Sequence, residues 1–335
     1  MTFRPMLKGL VAGALLTLLT QGVVGAEPFD LAEPKVSAFI DNMVTEHGLE
    51  RERVEALLGE ARHQQSIIDA ITRPAEAMPW HRYRPIFLGE DRIAEGAEFW
   101  ASHEALIERI AEEYEVSQAI MVAIIGVETR YGQHRGRHRV LDALATLAFD
   151  YPPRADFFGR ELAQFMLLVD EEDLDPLEIR GSYAGAMGVP QFISSSYRHY
   201  AADGDGDGRR DLMNNTADAV ASVANYFRAH RWRDGEPVVS AATLSHDADV
   251  SDLVNRGRQP YTTVGELRAA GVQPDLTLDD DMPATLMELE GPDGKEYWVG
   301  LHNFYVITRY NHSPLYALAV YQLSEAIREH REDGA

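Results

Sequence analysis

Apolar residues at helical spacing in three separate stretches, and one hairpin pattern inside a segment rich in Asp, Gly and Pro, predict a mainly α (α+β) fold. The helical stretches span residues 34–65, 96–114 and 314–328, and the hairpin falls within residues 246–300. Together they imply an N-terminal helical region, a helical core and a small mixed α/β sub-domain. The 335 residues are 45% hydrophobic, which is an ordinary globular composition for two or three sub-domains around more than one core.

Taken in order, residues 1–26 have the pattern of a cleaved secretory signal. Arg4 and Lys8 precede an apolar run, and Val24, Gly25 and Ala26 supply small residues ahead of a cut after Ala26. The run is short for a membrane span and is interrupted by Thr17, Thr20 and Gln21. There is no cysteine, so disulfides are excluded, and so is the acylated cysteine that would anchor a bacterial lipoprotein. The expectation is a periplasmic protein, soluble after signal cleavage and without a lipid anchor. Losing Arg4 and Lys8 would take the net charge from −23 to −25. Such an acidic surface argues against nucleic acid and anionic lipid as partners.

The N-terminal helical region covers residues 27–108. Val36, Phe39, Ile40, Met43, Leu49, Val54, Leu57 and Leu58 recur at three- and four-residue spacing, as do Phe99, Trp100, Ala105, Leu106 and Ile110. The core follows at residues 109–235. In the sub-domain, residues 236–300, strands at 284–290 and 297–301 flank the turn Gly291, Pro292, Asp293, Gly294. Residues 301–335 return to helical period through Leu315, Leu318, Ala319, Leu323 and Ile327. There is no internal repeat and no low-complexity tract.

Within the core, Ser117 stands where a helix N-cap is expected, and Met121, Ile125 and Glu128 follow at spacings of four and three. A carboxylate therefore continues an apolar stripe. The helix should stop near Tyr131 and Gly132, which places Glu128 in its last turn. Partial desolvation and the negative end of the helix dipole both favour the protonated form. A general acid needs that proton near neutral pH. The plainer alternative is a structural ion pair with Arg130, Arg135, Arg137 or Arg139.

Four ordered motifs decide between these. Residues 124–132 (IIGVETRYG), 181–192 (GSYAGAMGVPQF), 222–227 (SVANYF) and 303–313 (NFYVITRYNHS) resemble motifs of the lytic murein transglycosylase B family. The resemblance extends over about two thirds of the chain left after signal cleavage. It implies a lysozyme-like helical core in which Glu128 is the sole catalytic acid, first protonating the glycosidic oxygen of peptidoglycan and then acting as base. It also implies that Tyr83, Ser182, Gln191, Tyr226, Tyr310, Asn311 and Tyr316 line the sugar cleft. Residues 151–154 read Tyr-Pro-Pro-Arg where the family often has an Arg pair, so Arg154 alone is carried over as a contact to peptide or sugar carboxylate. Independently of the family, tyrosine offers a sugar ring a flat apolar face, and Ser, Asn and Gln orient hydroxyl and N-acetyl groups. Core packing is the alternative for any single aromatic residue.

Asp203, Asp205 and Asp207 alternate with glycines, and Gly208 stands in sixth place, as in the first half of an EF-hand loop. Oxygen ligands at that spacing suit Ca²⁺, with Arg209 offering its backbone carbonyl. The twelfth position is Asn214 rather than a bidentate Glu, and the resemblance implies that Asp218 supplies the closing carboxylate instead. Three like charges in six residues repel one another without a cation. Calcium here would be structural, and no cofactor is expected for catalysis. A solvated Asp/Gly turn is the alternative.

The expected activity is cleavage of the MurNAc-GlcNAc β-1,4 bond to give 1,6-anhydro-MurNAc ends, with peptidoglycan glycan strands as partner. A lysozyme-type muramidase would share the acid but often adds a second carboxylate, for which Asp142 and Asp156 are the candidates. A non-catalytic peptidoglycan-binding scaffold would need no protonated carboxylate.

Overall fold

The computed structural model describes residues 26–73 and 78–334. The signal reading, apart from Ala26, therefore lies outside the described residues. Among the described residues no helix is long and apolar enough to cross a membrane.

Helices gather around two cores. The first surrounds helix Gln118–Thr129, whose residues 119–126 are all buried. Helices Glu90–Ser102, Glu104–Tyr114, Thr216–Ala229 and Pro314–Asp333 pack around it. A helix apolar on every side must sit at the centre of its domain, since any exposed face would leave Ile or Val in water. Burying a side chain such as Ile124 or Ile125 contributes about 1.5–3 kcal/mol.

The second core joins helices Val140–Asp150, Ala155–Glu171 and Ser194–Tyr200 to the N-terminal helices Pro34–Thr45, Arg51–Glu60 and Gln65–Thr72. The region expected at residues 27–108 is thus divided between cores. Val36, Ile40, Met43 and Leu58 enter the second, whereas Trp80, Trp100 and Ile107 enter the first.

The stretch expected at residues 96–114 is two helices rather than one, and His103 separates them. Its backbone leaves the helical region (φ −126°, ψ 22°). Its Nδ1 lies 2.8 Å from the Phe99 carbonyl oxygen, the acceptor its own N–H would use in a continuous helix. The N–H bonds the Trp100 carbonyl instead.

The expected hairpin is present as Pro283–Glu290 and Lys295–Gly300, paired antiparallel from Thr285↔Gly300 to Glu290↔Lys295. Gly291 N–H donates to the Gly294 carbonyl at 2.8 Å and closes the turn. The sheet order is Thr262–Thr263, Pro283–Glu290, Lys295–Gly300, Val239–Leu244, Val272–Pro274. Val264, Leu267, Val272, Leu286 and Val299 form its own small core. Helix His302–Tyr310 then leads back to the first core.

A two-residue ribbon, His138–Arg139 with Arg180–Gly181, brings the 181–192 motif beside the end of helix Gln118–Thr129. Gly136 permits this approach. It has φ +93°, and a Cβ there would lie 2.0 Å from the Gly181 carbonyl carbon.

Candidate active site

Helix Gln118–Thr129 ends where Arg130, Tyr131 and Gly132 all take positive φ, which leaves Glu128 in the final turn. Ser117 occupies the N-cap position but its side chain makes no capping bond. The C-terminal end is held from three directions. Arg92 Nη1 donates to the Gly126 carbonyl at 2.6 Å, and Tyr131 OH donates to the Arg92 carbonyl at 2.8 Å. Thr129 Oγ1 donates to the Val189 carbonyl at 2.9 Å and accepts the Gly132 N–H at 3.0 Å, tying the helix to the 181–192 motif.

The arginines that could have paired with Glu128 are engaged elsewhere or unattached to it. Arg130 makes two bonds of 2.6 Å to Glu95, and Arg139 bonds Asp142 at 2.9 and 2.6 Å. Arg135 donates to the carbonyls of Gly132 and Met213. Glu128 instead accepts one hydrogen bond, from Tyr316 OH to its Oε1 at 2.6 Å. Burial of the partly covered carboxyl pushes its pKa up from 4.5 to about 7, and the Tyr316 bond, which favours the charged form, pulls against that shift. A phenol beside a carboxylate cannot neutralise it. The acid therefore keeps its proton close to neutrality.

Neither candidate second carboxylate shares this setting. Asp142 is buried, paired with Arg139, and accepts the Arg62 N–H at 2.9 Å. Asp156 is exposed in the first turn of helix Ala155–Glu171.

The residues carried over for the cleft fall into distinct positions. Tyr316 is buried and touches Glu128 directly. Tyr83 and Tyr310 are near enough that the Glu128 charge adds to the effect of burial, which raises both phenols. Tyr310 OH donates to the Pro190 carbonyl at 2.6 Å, joining the fourth motif to the second. Tyr226 is buried behind it, with its ring 4.8 Å from Tyr310 and its OH on the Arg309 carbonyl at 2.6 Å. It braces the aromatic wall. Ser182 Oγ accepts the N–H groups of Ala184 and Ala186, and so shapes the turn. Gln191, at φ +53°, donates from Nε2 to the carbonyls of Gly188 and Arg135 at 2.9 and 3.2 Å. Asn311 is exposed, with no side-chain bond among the described residues. Arg154 is exposed, and its guanidinium lies over Phe157 and Phe158 at 4.3 and 5.1 Å.

In the acidic loop, the carboxylates of Asp203, Asp205 and Asp218 converge, with one oxygen of each within 4.8 Å of the others. Asp207 is not in this group; its Oδ1 accepts the Arg209 N–H at 2.8 Å. Asp218 is fully buried, and burial raises its pKa against the lowering effect of two N–H bonds, from Gly204 and Asp211. Among the described residues no salt bridge reaches the three converging carboxylates. An all-oxygen, acid-rich cluster of this kind fits a hard divalent cation such as Ca²⁺.

Sequence reasoning missed the support of the helix end that carries Glu128: Arg92, Glu95 and Thr129. Arg92 and Glu95 lie more than thirty residues upstream of their partners, and no local pattern connects them.

Residues 32–325 match the family described as the transglycosylase SLT domain. Membrane-bound lytic murein transglycosylase B of Escherichia coli K12 is 41% identical over 304 residues, covering 88% of this chain and 82% of that protein. Among solved structures, the soluble lytic transglycosylase SltB1 of Pseudomonas aeruginosa, in its catenated form, superposes with a TM-score of 0.86 at 50% identity. That match covers 89% of this chain and 98% of the other. The E. coli lytic transglycosylase Slt35, solved in complex with calcium, has a TM-score of 0.83 at 42% identity, over 93% and 98% of the two chains. The mainly helical, lysozyme-like fold and the four motifs thus have one origin: the chain belongs to the SLT transglycosylase family of peptidoglycan-cleaving lytic enzymes.

Proposed function

We propose that the chain cuts the MurNAc-GlcNAc β-1,4 bond of peptidoglycan without water, with Glu128 as acid and then base. The observation that carries this is one carboxyl raised to about 7 and hydrogen-bonded to Tyr316, with no carboxylate among the described residues contributing to its shift. Protonated Glu128 gives its proton to the glycosidic oxygen as that bond breaks, and the MurNAc carbon gains oxocarbenium character. With no enzyme carboxylate to trap it, the 6-hydroxyl of the same sugar is the held nucleophile, favoured by its high effective concentration. Its oxygen bonds to the anomeric carbon, and its proton passes to the now ionised Glu128. Acid and product are restored together, and the product ends in 1,6-anhydro-MurNAc.

Tyr83, Tyr310 and Asn311 would meet the sugar rings, with Tyr226, Ser182 and Gln191 holding the walls. Arg154, over Phe157 and Phe158, is assigned no part in the bond cleavage. Asp203, Asp205 and Asp218 would hold a structural Ca²⁺, with Asp207 and the Arg209 carbonyl completing the loop if it tightens around the ion. The signal pattern of residues 1–26 supports a periplasmic location for the working enzyme.

Digestion of purified glycan strands in ¹⁸O-water, read by mass spectrometry, tests the chemistry. Anhydro ends without heavy oxygen are expected. Label at the new reducing ends means hydrolysis and overturns the reading.

A further inference from the structure

Arg92 is a half-buried cation at the C-terminal end of helix Gln118–Thr129, and among the described residues no salt bridge reaches it. Glu95, one turn further on, is taken by Arg130 in two bonds of 2.6 Å. Burial lowers the Arg92 pKa, yet a guanidinium keeps its charge at any working pH. Taking a charge out of water with no carboxylate to meet it is destabilising. A methionine of similar length would fill the same space without that cost.

The guanidinium touches two elements that face the same cleft. Its Nη1 donates to the Gly126 carbonyl at 2.6 Å, two residues before Glu128. Its Cζ lies over the Phe87 ring, 5.4 Å from the centroid, a favourable cation–π placement. The Phe87 ring is in turn 5.2 Å from the Tyr83 ring, and Tyr83 is close enough to Glu128 for the carboxylate charge to add to burial in raising the phenol. Tyr131 OH donates back to the carbonyl of Arg92 itself at 2.8 Å, which closes a ring of contacts around the helix end. On the far side, His81 Nδ1 lies 3.1 Å from the Glu290 carbonyl and ties helix Trp80–Tyr83 to the hairpin. One guanidinium thus joins the element that carries the acid to the element that carries Tyr83.

We propose that Arg92 is a positioning residue that fixes the offset between Tyr83, against which a sugar ring rests, and the carboxyl of Glu128. The inference rests on the glycan-cleaving reading above. A guanidinium suits this work because it can donate along its edge to a carbonyl while its charge lies against an aromatic ring, whereas an ammonium serves the two directions less well. Arg92 touches neither the acid nor the sugar, so it acts only through the two elements it joins. A misplacement of about 1 Å between acid and leaving oxygen is enough to cost on the order of 10² in rate.

The test compares Arg92→Met, Arg92→Lys, Tyr83→Ala and the double variant Arg92→Met/Tyr83→Ala on glycan strands, at a temperature where every variant is folded. In Arg92→Met, kcat should fall on the order of tenfold with KM within about threefold of the wild type. Arg92→Lys should recover part of that loss, because the ammonium still donates to the Gly126 carbonyl. Once Tyr83 is removed, Arg92→Met should cost far less than it does alone, since the offset it fixes no longer exists. A normal kcat in Arg92→Met, a Lys variant no better than the Met variant, or losses that multiply in the double variant overturns the role. A readout without any strand is 4-fluorophenylalanine at position 83, which does not itself titrate. Its ¹⁹F resonance should step as Glu128 ionises near pH 7, lose the step in Glu128→Gln, and show a smaller step in Arg92→Met. A step of unchanged size in Arg92→Met also overturns the role. If the wild type cuts no strand, the activity reading fails on its own, while the fluorine step still decides whether Arg92 holds Tyr83 against Glu128.

Discussion

Replacing Glu128 by Gln keeps the length of the side chain and a partner for Tyr316 while removing the proton it would donate. Cleavage should fall by a factor of roughly 10² to 10⁴ or more, with strand binding retained. The same change should stabilise the protein at alkaline pH. The folded pKa of about 7 stands above the ordinary 4.5, so this group's contribution is complete below about 4.5 and is lost as pH rises through about 7. Gln never ionises and avoids that loss. Denaturant unfolding at pH 8.5 should favour Glu128→Gln by about 1–3 kcal/mol, shrinking to nothing near pH 4. A difference independent of pH would mean that Glu128 is not desolvated in the folded state. Tyr316→Phe bears on the opposing influence. Its hydroxyl stabilises the carboxylate, so its removal should move the alkaline limb of the rate profile to higher pH while kcat drops on the order of tenfold. A limb that stays or moves down would show that the hydroxyl does not favour the ionised acid. Glu128 itself was legible because its spacing from Met121 and Ile125 is local. Tyr316 is 188 residues away, and only the resemblance pointed to it.

At the scale of the element, the helix that carries Glu128 depends on a glycine that its sequence pattern does not explain. A Cβ at Gly126 would lie 2.6 Å from the Tyr131 hydroxyl oxygen and 2.7 Å from its ring, and one at Gly96 would lie 2.5 Å from the same hydroxyl. Tyr131 is thus wedged between two helices that approach closely only because both lack a side chain there. Its OH is fixed on the Arg92 carbonyl, and Arg92 holds the Gly126 carbonyl. Gly126→Ala should therefore cost about 1–3 kcal/mol through overpacking and also lower kcat, as the helix end carrying Glu128 shifts. Gly159→Ala is the matched control. It lies in helix Ala155–Glu171 with nothing within 4 Å of an added Cβ, and should gain about 0.5–1 kcal/mol from helix propensity. Comparable stabilities for the two variants, measured by urea unfolding, would remove Tyr131 as the wedge. Helical period gave the helices within residues 34–65, 96–114 and 314–328, and the hairpin was readable from its four-residue turn. The break at His103 was not. It depends on a ring nitrogen competing for the Phe99 carbonyl, a choice that apolar spacing does not record.

Across the whole molecule, the acidic loop joins parts that composition had not connected. Residues 203–208 lie between helix Ser194–Tyr200 of the second core and helix Thr216–Ala229, whose residues enter both. Arg109, on helix Glu104–Tyr114, reaches the Gly204 carbonyl at 2.5 Å. The division of residues 27–108 between two cores was hidden for a related reason, because helical period shows which face is buried but not against what. A cation at Asp203, Asp205 and Asp218 would tie the loop to helix Thr216–Ala229, which also carries Tyr226 beneath the cleft wall. Binding to the folded state alone stabilises by mass action, about 2.7 kcal/mol at a hundredfold excess over Kd. For a chain of this size that corresponds to a rise in Tm of roughly 4 °C. Net charge could attract Ca²⁺ diffusely, so the comparison needs Asp218→Asn, which takes the charge from one member of the converging set while removing only one of the molecule's many negative charges. Thermal melts with calcium and with chelator should separate in the wild type and nearly coincide in Asp218→Asn. Superimposed wild-type melts would make the loop a plain turn, and an equal shift in both proteins would place the ion elsewhere. Because the loop stands outside the chemistry at Glu128, chelation should lower activity only as far as it loosens the wall behind Tyr310, and that loss should return when calcium is restored.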